Sequence, residues 1–269
     1  MTTPRGERLK LDLPSGISTG REVWRFGEVG STNDVLKEKA AGGAREGLCV
    51  VADSQTRGRG RLGRSWASPP EVGLYISCLI QPDLPPEALP LCTLLAGGAT
   101  ARALVEATGA EVKLKWPNDL LLNDKKLGGI LTELVTPSSG PPSVLVGIGI
   151  NVSTPPEAFP TELRATATSI LQATGRNYER LTLLKALLLE LDTAYAALRE
   201  SGPKAALDLW QPFASTLGQR VRVEMPNEAL EGRAVGLTDN GHLVVRTDQG
   251  LDVDVVAGEV AHLESGQAP

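Results

Sequence analysis

The sequence predicts an α+β protein: a large domain in which helices flank a sheet, followed by a small all-β domain. Three observations predict it. Short apolar runs of strand length recur between Val23 and Val152, several of them ending in polar or glycine-rich clusters. Two longer stretches, 87–108 and 178–200, have helical length and spacing. From Gln219 the texture changes to brief alternating runs separated by the tight-turn signals Pro226-Asn227, Asp239-Asn240-Gly241 and Asp248-Gln249-Gly250.

Taken in order, residues 1–22 are punctuated by Pro, Gly and Ser and read as a ragged N-terminal extension. Val23–Glu28 alternates as a strand does. Gly30-Ser31-Thr32-Asn33-Asp34 then opens a helix to about Ala41, with Ser31 or Thr32 as its N-cap. Gly47–Asp53 and Val72–Leu79 are strands, and Pro85-Pro86 opens the helix over 87–108. Ala96, Gly97, Gly98 and Ala99 on that helix predict close packing on a sheet. Strands follow at 112–116, 120–122, 126–134 and 143–152, with loops at 136–142 and 153–164. In the helix over 178–200, Leu181, Leu184, Leu188, Leu191 and Tyr195 fall on one face, and a further helix covers 204–210. Strands at 221–225, 230–237, 243–247 and 251–256 complete the chain. The expected division is an extension at 1–22, a large domain at 23–216 and a small one at 217–264.

Composition narrows the function classes. With 41% hydrophobic and 22% charged residues, the chain reads as an ordinary globular protein. A net charge of -5 and 4% aromatic residues oppose a nucleic-acid module, which usually carries a basic face. Residues 1–20 lack the apolar run of a signal peptide, and Arg102, Lys185 and Glu190 cut the helical runs below the length expected of a membrane span. Cys49, Cys78 and Cys92 lack CxxC spacing and sit among aliphatic residues, so they read as buried thiols of a reducing compartment. His242 and His262 are the only histidines, which argues against a histidine-based metal site or triad.

The most informative stretch is Gly58-Arg59-Gly60-Arg61-Leu62-Gly63-Arg64, entered through Gln55-Thr56-Arg57 and left through Ser65-Trp66. Arg57, Arg59, Arg61 and Arg64 place four positive charges in eight residues without one acid. The glycines let the backbone turn sharply and approach a ligand. Such a loop suits a phosphate or carboxylate, which guanidinium grips with paired hydrogen bonds. Ordering seven residues costs about 1–2 kcal/mol each, and four charge-assisted contacts return roughly 1.5–3 kcal/mol each. These similar sums predict a loop that folds over its ligand. One basic loop in an acidic chain points to one small anion, where a solvated tail is the bland alternative.

Further polar clusters interrupt the apolar strands at Ser31-Thr32-Asn33, Lys115-Trp116-Pro117-Asn118-Asp119 and Lys126-Leu127-Gly128-Gly129. Paired glycines within a strand mark a close approach to its backbone. Lys115 and Lys126 suit a phosphate chain, and the oxygens of Asn118 and Asp119 suit Mg²⁺ beside phosphates. Taken singly, Asp119 is a turn cap and Lys126 a surface lysine. Together they describe a nucleotide site without a P-loop, since no GxxxxGK[ST] is present.

In that order, Gly30-Ser31-Thr32-Asn33, Gln55–Trp66, Lys115–Leu120, Lys126–Leu131 and Gly147-Ile148-Gly149-Ile150-Asn151-Val152 resemble the biotin protein ligases, also called biotin–[acetyl-CoA-carboxylase] ligases. The resemblance covers about Val23 to Leu198. It implies a mixed or antiparallel sheet flanked by helices, of the class II synthetase-like kind, and an SH3-like C-terminal β-barrel. It implies an ATP-dependent enzyme that forms biotinyl-5'-AMP, releases pyrophosphate and transfers biotin to a lysine of a biotin carboxyl carrier protein, an acetyl-CoA carboxylase subunit, or another biotin-accepting domain. By the same resemblance, Ser31, Thr32, Asn33 and Gln55 hold biotin; Gly58, Arg59, Gly60 and Arg61 belong to the loop that encloses it. Gly128, Gly129 and Gly149 allow close packing on it, although the family often has Ala where this chain has Gly128. Lys126 lies by the biotin carboxylate and the α-phosphate, where Lys126 and Arg59 stabilise charge. Arg61, Arg64, Trp66, Lys115, Asn118 and Asn151 surround ATP, and Asp119 with Asn151 meets Mg²⁺. Two roles stay open for Asp119: metal ligand, or the group that orients the acceptor lysine.

The nearest rival is a lipoate–protein ligase of related fold; a non-catalytic biotin or nucleotide module is another. Some family members carry an N-terminal winged helix-turn-helix, for which the residues before Val23 are too few, so no DNA binding is expected. The family also implies a homodimer, no membrane and a cytoplasmic setting.

Overall fold

Alternation along the strands decides the layers. The computed structural model describes residues 6–136, 141–225 and 228–263. Eight strands build the large sheet: β1 Glu7–Leu9, β2 Glu22–Val29, β3 Leu48–Gln55, β4 Gly73–Ile80, β5 Val112–Lys115, β6 Asp119–Leu122, β7 Lys125–Val135 and β8 Ser143–Asn151. Their order is β1-β2-β3-β4-β8-β7-β6-β5. The β2–β3 pair is parallel, so its strands need a crossover, and helix α1 Thr32–Ala41 provides it. The remaining neighbours pair antiparallel.

On β3, Cys49 and Val51 point to one face while Leu48, Val50 and Ala52 point to the other, and all five are buried. The first face is covered by α2 Pro90–Thr108, α4 Arg180–Ser201 and α5 Lys204–Trp210, and the short α3 Ile170–Thr174 places Ile170 in the same core. The second face is covered by α1 through Val35, Leu36 and Ala40. This helix shields only part of that face. Beyond it β4, β7 and β8 present Ser77, Gly129, Gly147 and Gly149, and the cavity described below opens there.

Several local expectations change. Residues 7–9 of the extension pair with β2, and Asp192 Oδ1 accepts from the backbone of Ser18 at 2.9 Å and Thr19 at 2.7 Å. A three-residue edge strand leaves no periodic trace, so only pairing reveals it. Leu181 is exposed, and the buried face of α4 runs instead through Leu184, Leu187, Leu188, Leu191 and Tyr195. The small residues of α2 serve a helix as much as the sheet: a Cβ on Gly98 would stand 2.7 Å from Leu209 on α5. Segment 86–108, with 23 residues and hydropathy 1.5, is long and apolar enough to cross a membrane despite Arg102. Here 72% of its apolar window is buried inside the protein, beneath α4 and α5, as a core helix.

The second sheet comprises β9 Arg220–Glu224, β10 Ala229–Leu237, β11 Leu243–Arg246, β12 Asp252–Val255 and β13 Glu259–His262, ordered β12-β11-β10-β9-β13 and antiparallel throughout. β13 escapes sequence reading because Val260 is its one well-buried apolar side chain. Asn240-Gly241 and Gln249-Gly250 turn as expected, each with a left-handed glycine. The Pro226-Asn227 turn and residues 137–140 of the 136–142 loop lie outside the described residues. Trp116 fastens the two sheets: its N–H donates to Thr216 Oγ1 at 2.9 Å and its indole Nε1 to Gly241 O at 3.1 Å.

Candidate active site

The start of α1 forms one wall of a cavity of about 270 Å³. Ser31 occupies the N-cap position, but its side chain makes no cap bond. Gln55 on β3 does that work: its Oε1 accepts from Thr32 N at 2.8 Å and Thr32 Oγ1 at 3.2 Å, while its Nε2 donates to Ser68 Oγ at 2.8 Å. Ser77 Oγ on β4 contacts Thr32 Oγ1 at 2.7 Å and Asn33 Oδ1 at 2.5 Å. Ser31, Thr32 and Asn33 are buried, so this polar wall is ordered by its own bonds.

The floor is glycine. A Cβ on Gly149 would stand 2.5 Å from Trp66 Nε1, and one on Gly147 2.6 Å from Asn33 Oδ1. Their absence lets Trp66 and Asn33 lie against the sheet. Gly129 lines the same floor, and a Cβ there would meet Asn118 O and Lys126 Cε at an ordinary contact distance of 3.8 Å. Three expected site residues stand elsewhere. Gly128 points to the opposite face, where a Cβ would meet Gly149 O at 2.6 Å, so it serves strand packing and not a ligand. Gly58 does not line the cavity; it lets the loop close on itself, since a Cβ there would sit 2.4 Å from Trp66 O. Asn151, at the end of β8, is buried outside the cavity lining, its amide donating to Thr168 O at 3.0 Å.

The Arg/Gly loop forms the lid, and protein contacts of its own hold it. Gly60 N donates to Arg64 O at 2.7 Å and Trp66 N to Gly58 O at 2.9 Å. The four arginines divide their work. Arg57 packs on Gly30, outside the cavity lining. Arg59 places Nη1 2.5 Å from Asp34 Oδ1 and Nη2 2.9 Å from Glu133 Oε2. Burial pushes its pKa down, but the bonds to both carboxylates outweigh that and hold it above the ordinary arginine value. Arg59, expected to stabilise charge at the α-phosphate, here has its guanidinium occupied by two carboxylates. Its partners, 25 and 74 residues away, leave no local sign. Arg64 pairs with Glu259 Oε2 at 2.5 Å. Arg61 Nη1 has neutral partners, Asn118 Oδ1 at 3.2 Å and Gly258 O at 3.4 Å. Burial lowers its pKa, with Asp119 and Glu259 pulling upward and Arg64 downward.

Lys126, from the start of β7, reaches Asp119 Oδ1 at 2.6 Å and sits 5.9 Å from the Trp66 ring. Asn118 is locked by Nδ2 donating to Ile130 O at 3.0 Å and by Ile130 N donating to its carbonyl at 2.9 Å. Lys115 lines the same end. Sequence reasoning missed Ser65, Leu131 and Leu163 on the walls, and Gly258, Glu259 and Val260 from the second sheet. Nothing near Glu259 in the chain marks it; only docking of the two sheets brings it to the lid. Trp66 Nε1 is buried with no partner, a donor awaiting an acceptor.

The model of the Biotin/lipoate A/B protein ligase family matches residues 27–151, and that of the biotin protein ligase C terminal domain matches 216–263. The chain is 39% identical over 249 residues to the bifunctional ligase/repressor BirA of Bacillus subtilis, covering 91% of this chain and 77% of that one. It is 35% identical over 267 residues to the biotin–[acetyl-CoA-carboxylase] ligase of Mycobacterium tuberculosis, covering 97% and 96%. The chain belongs to the biotin protein ligases. Among solved structures, the Aquifex aeolicus biotin protein ligase in complex with biotin and ATP matches with a TM-score of 0.77 at 32% identity, over 90% of this chain and 99% of that one.

In this ligase no histidine or cysteine lines the cavity among the described residues. Cys49, Cys78 and Cys92 are buried, and burial pushes the Cys92 thiol up to about 12. The cavity offers cations, amides and glycine floor.

Proposed function

We propose that the ligase activates biotin and transfers it to a carrier lysine within this one cavity. The observation that carries the reading is the convergence of Arg61 and the Lys126–Asp119 pair over a glycine floor and a polar wall. Biotin lies on Gly129, Gly147 and Gly149, its ring polar groups toward Ser31, Thr32, Asn33 and Gln55. A carboxylate oxygen attacks the α-phosphorus of ATP; the bond to pyrophosphate breaks and biotinyl-5'-AMP forms. Lys126 and Arg61 offset the charge that builds at the α-phosphate, with Arg64, Lys115 and Trp66 toward the nucleotide. In the second half, a carrier lysine amine attacks the acyl carbon, loses a proton and expels AMP. Asp119 orients that amine through the same carboxylate that holds Lys126.

Magnesium fits as part of ATP and not as a resident ion. Among the described residues no cluster of three or more His, Cys, Asp or Glu is built for a metal, and Asp119 with the Asn118 amide oxygen supplies the oxygens at hand. An ion held mainly by phosphates and water asks for no more than one or two such ligands and supplies charge neutralisation there.

Pyrophosphate release with biotin against lipoate tests the reading. Turnover with biotin alone supports it; equal or greater turnover with lipoate favours the rival. The acceptor is a biotin carboxyl carrier protein or similar domain. A homodimer through the large sheet is part of the proposal. Beyond Gly129, β7 has a strand partner only on its β8 side among the described residues, and Leu134 is 49% exposed there. Sedimentation velocity with and without ligands checks it. The free, buried cysteines support a cytoplasmic setting, and a domain boundary at 216–217 is testable by limited proteolysis.

A further inference from the structure

Asp34 and Glu133 pose a question of charge. Both stand close to a cavity read as binding a carboxylate and a triphosphate, and alone they would repel those groups. Each instead meets Arg59. Asp34 in the first turn of α1 takes Nη1 at 2.5 Å, and Glu133 on β7 takes Nη2 at 2.9 and 3.1 Å through its two oxygens. Glu133 Oε2 also accepts from Asn33 Nδ2 at 2.5 Å, and Asn33 Oδ1 is held by Ser77 Oγ at 2.5 Å. One bonded path thus runs from the floor strand β4 through the α1 wall to the lid. The side chains of Arg59, Asp34 and Glu133 are 35%, 35% and 32% exposed, so the cluster is shielded enough to matter without the cost of full burial. Gly58 and Gly60 flank Arg59 with flexible backbone, so a side-chain tether decides where this part of the loop lies.

We propose that Asp34 and Glu133 are positioning residues: acting through Arg59 they hold the Gly58–Trp66 lid over the cavity, and through Asn33 Glu133 ties lid closure to the wall on which biotin rests. This rests on the functional reading above. It assigns Arg59 to closure and leaves Arg61 and Lys126 to face the ligand's charge.

The test uses the full chain with Asp34→Asn, Glu133→Gln and Arg59→Gln, singly and combined. Two quantities are read: escape of labelled biotinyl-adenylate during a chase with unlabelled biotin, and amide hydrogen exchange of residues 58–66 without ligand. Each single variant should raise escape and loop exchange by about tenfold, the loss of one charge-assisted bond. The rate of pyrophosphate formation should fall by less than escape rises. The triple variant should be no leakier than Arg59→Gln alone, because Glu133→Gln keeps an oxygen to accept from Asn33 and both carboxylates otherwise reach the loop through that arginine; a general loss of packing would add instead. Wild-type escape and exchange in Asp34→Asn and Glu133→Gln would overturn the proposal, as would a triple variant whose effect multiplies those of the singles. Tighter adenylate retention in those variants would also overturn it, showing that freed Arg59 serves the phosphate. If the wild-type chain makes no adenylate from biotin and ATP, the functional reading fails, and the ligand-free exchange measurement still decides the clamp.

Discussion

Lys126 Nζ and Asp119 Oδ1 lie 2.6 Å apart across the β6–β7 hairpin. Register places Asp119 opposite Gly129 and Leu121 opposite Lys126, with a shift between Leu120 and Leu121. Such an irregularity re-aims a side chain, and here it coincides with the acid and the base meeting at the cavity. In the function proposed above, this pair would link the two half-reactions, the cation serving the phosphate and the carboxylate the incoming amine.

Lys126→Ala should lower biotin-dependent pyrophosphate release by about 100- to 1000-fold, the usual loss for one electrostatic donor at a reacting centre. The Lys126 side chain is 40% exposed, so stability should change by no more than about 1 kcal/mol. Pyrophosphate exchange together with a urea titration checks both halves, and normal pyrophosphate release would remove Lys126 from the chemistry.

Arg61→Gly should loosen the lid at Asn118 and Gly258 and raise biotinyl-adenylate escape by about tenfold. Escaped adenylate acylates any exposed amine. A streptavidin blot of a lysate supplied with biotin and ATP should then show bystander labelling beyond that of wild type, and an unchanged blot counts against a sealing role.

Gly149→Ala should move the Trp66 indole, since the new Cβ would fall 2.5 Å from Nε1. Overpacking of this kind costs about 1–3 kcal/mol. The expected result is a shifted tryptophan emission and a weaker ATP affinity by calorimetry. Unchanged ATP binding would separate Trp66 from the nucleotide.

Trp116→Phe should leave Gly241 O without its donor at the junction of the two sheets. The change also removes the pyrrole part of a fully buried indole, so the loss combines one buried hydrogen bond with a small cavity, about 2–4 kcal/mol in urea unfolding. A midpoint equal to wild type would show that the junction does not depend on this bond.

Much of the site was legible because its signals are local. The glycines of β7 and β8, the Gly58–Arg64 run and the Ser31-Thr32-Asn33 start of α1 each break a strand or helix pattern beside the cavity. Gly128 shows the limit: one residue from Gly129, it faces the other side of the sheet, and the paired glycines alone do not say which is which. Asn151 shows another, since an amide at the end of β8 is equally consistent with a ligand contact and with its bond to Thr168 O.

By itself the sequence determined the kinds of element, their order, and the places where polar or glycine residues interrupt an apolar pattern, because these follow from periods of a few residues. The tertiary structure alone decided how the lid's charge is shared. Arg59 is matched by Asp34 and Glu133, Arg64 by Glu259 across 195 residues, and Arg61 is left with neutral partners. Ion pairs form between side chains that folding brings within a few ångströms. The chain's local pattern carries no record of that distance.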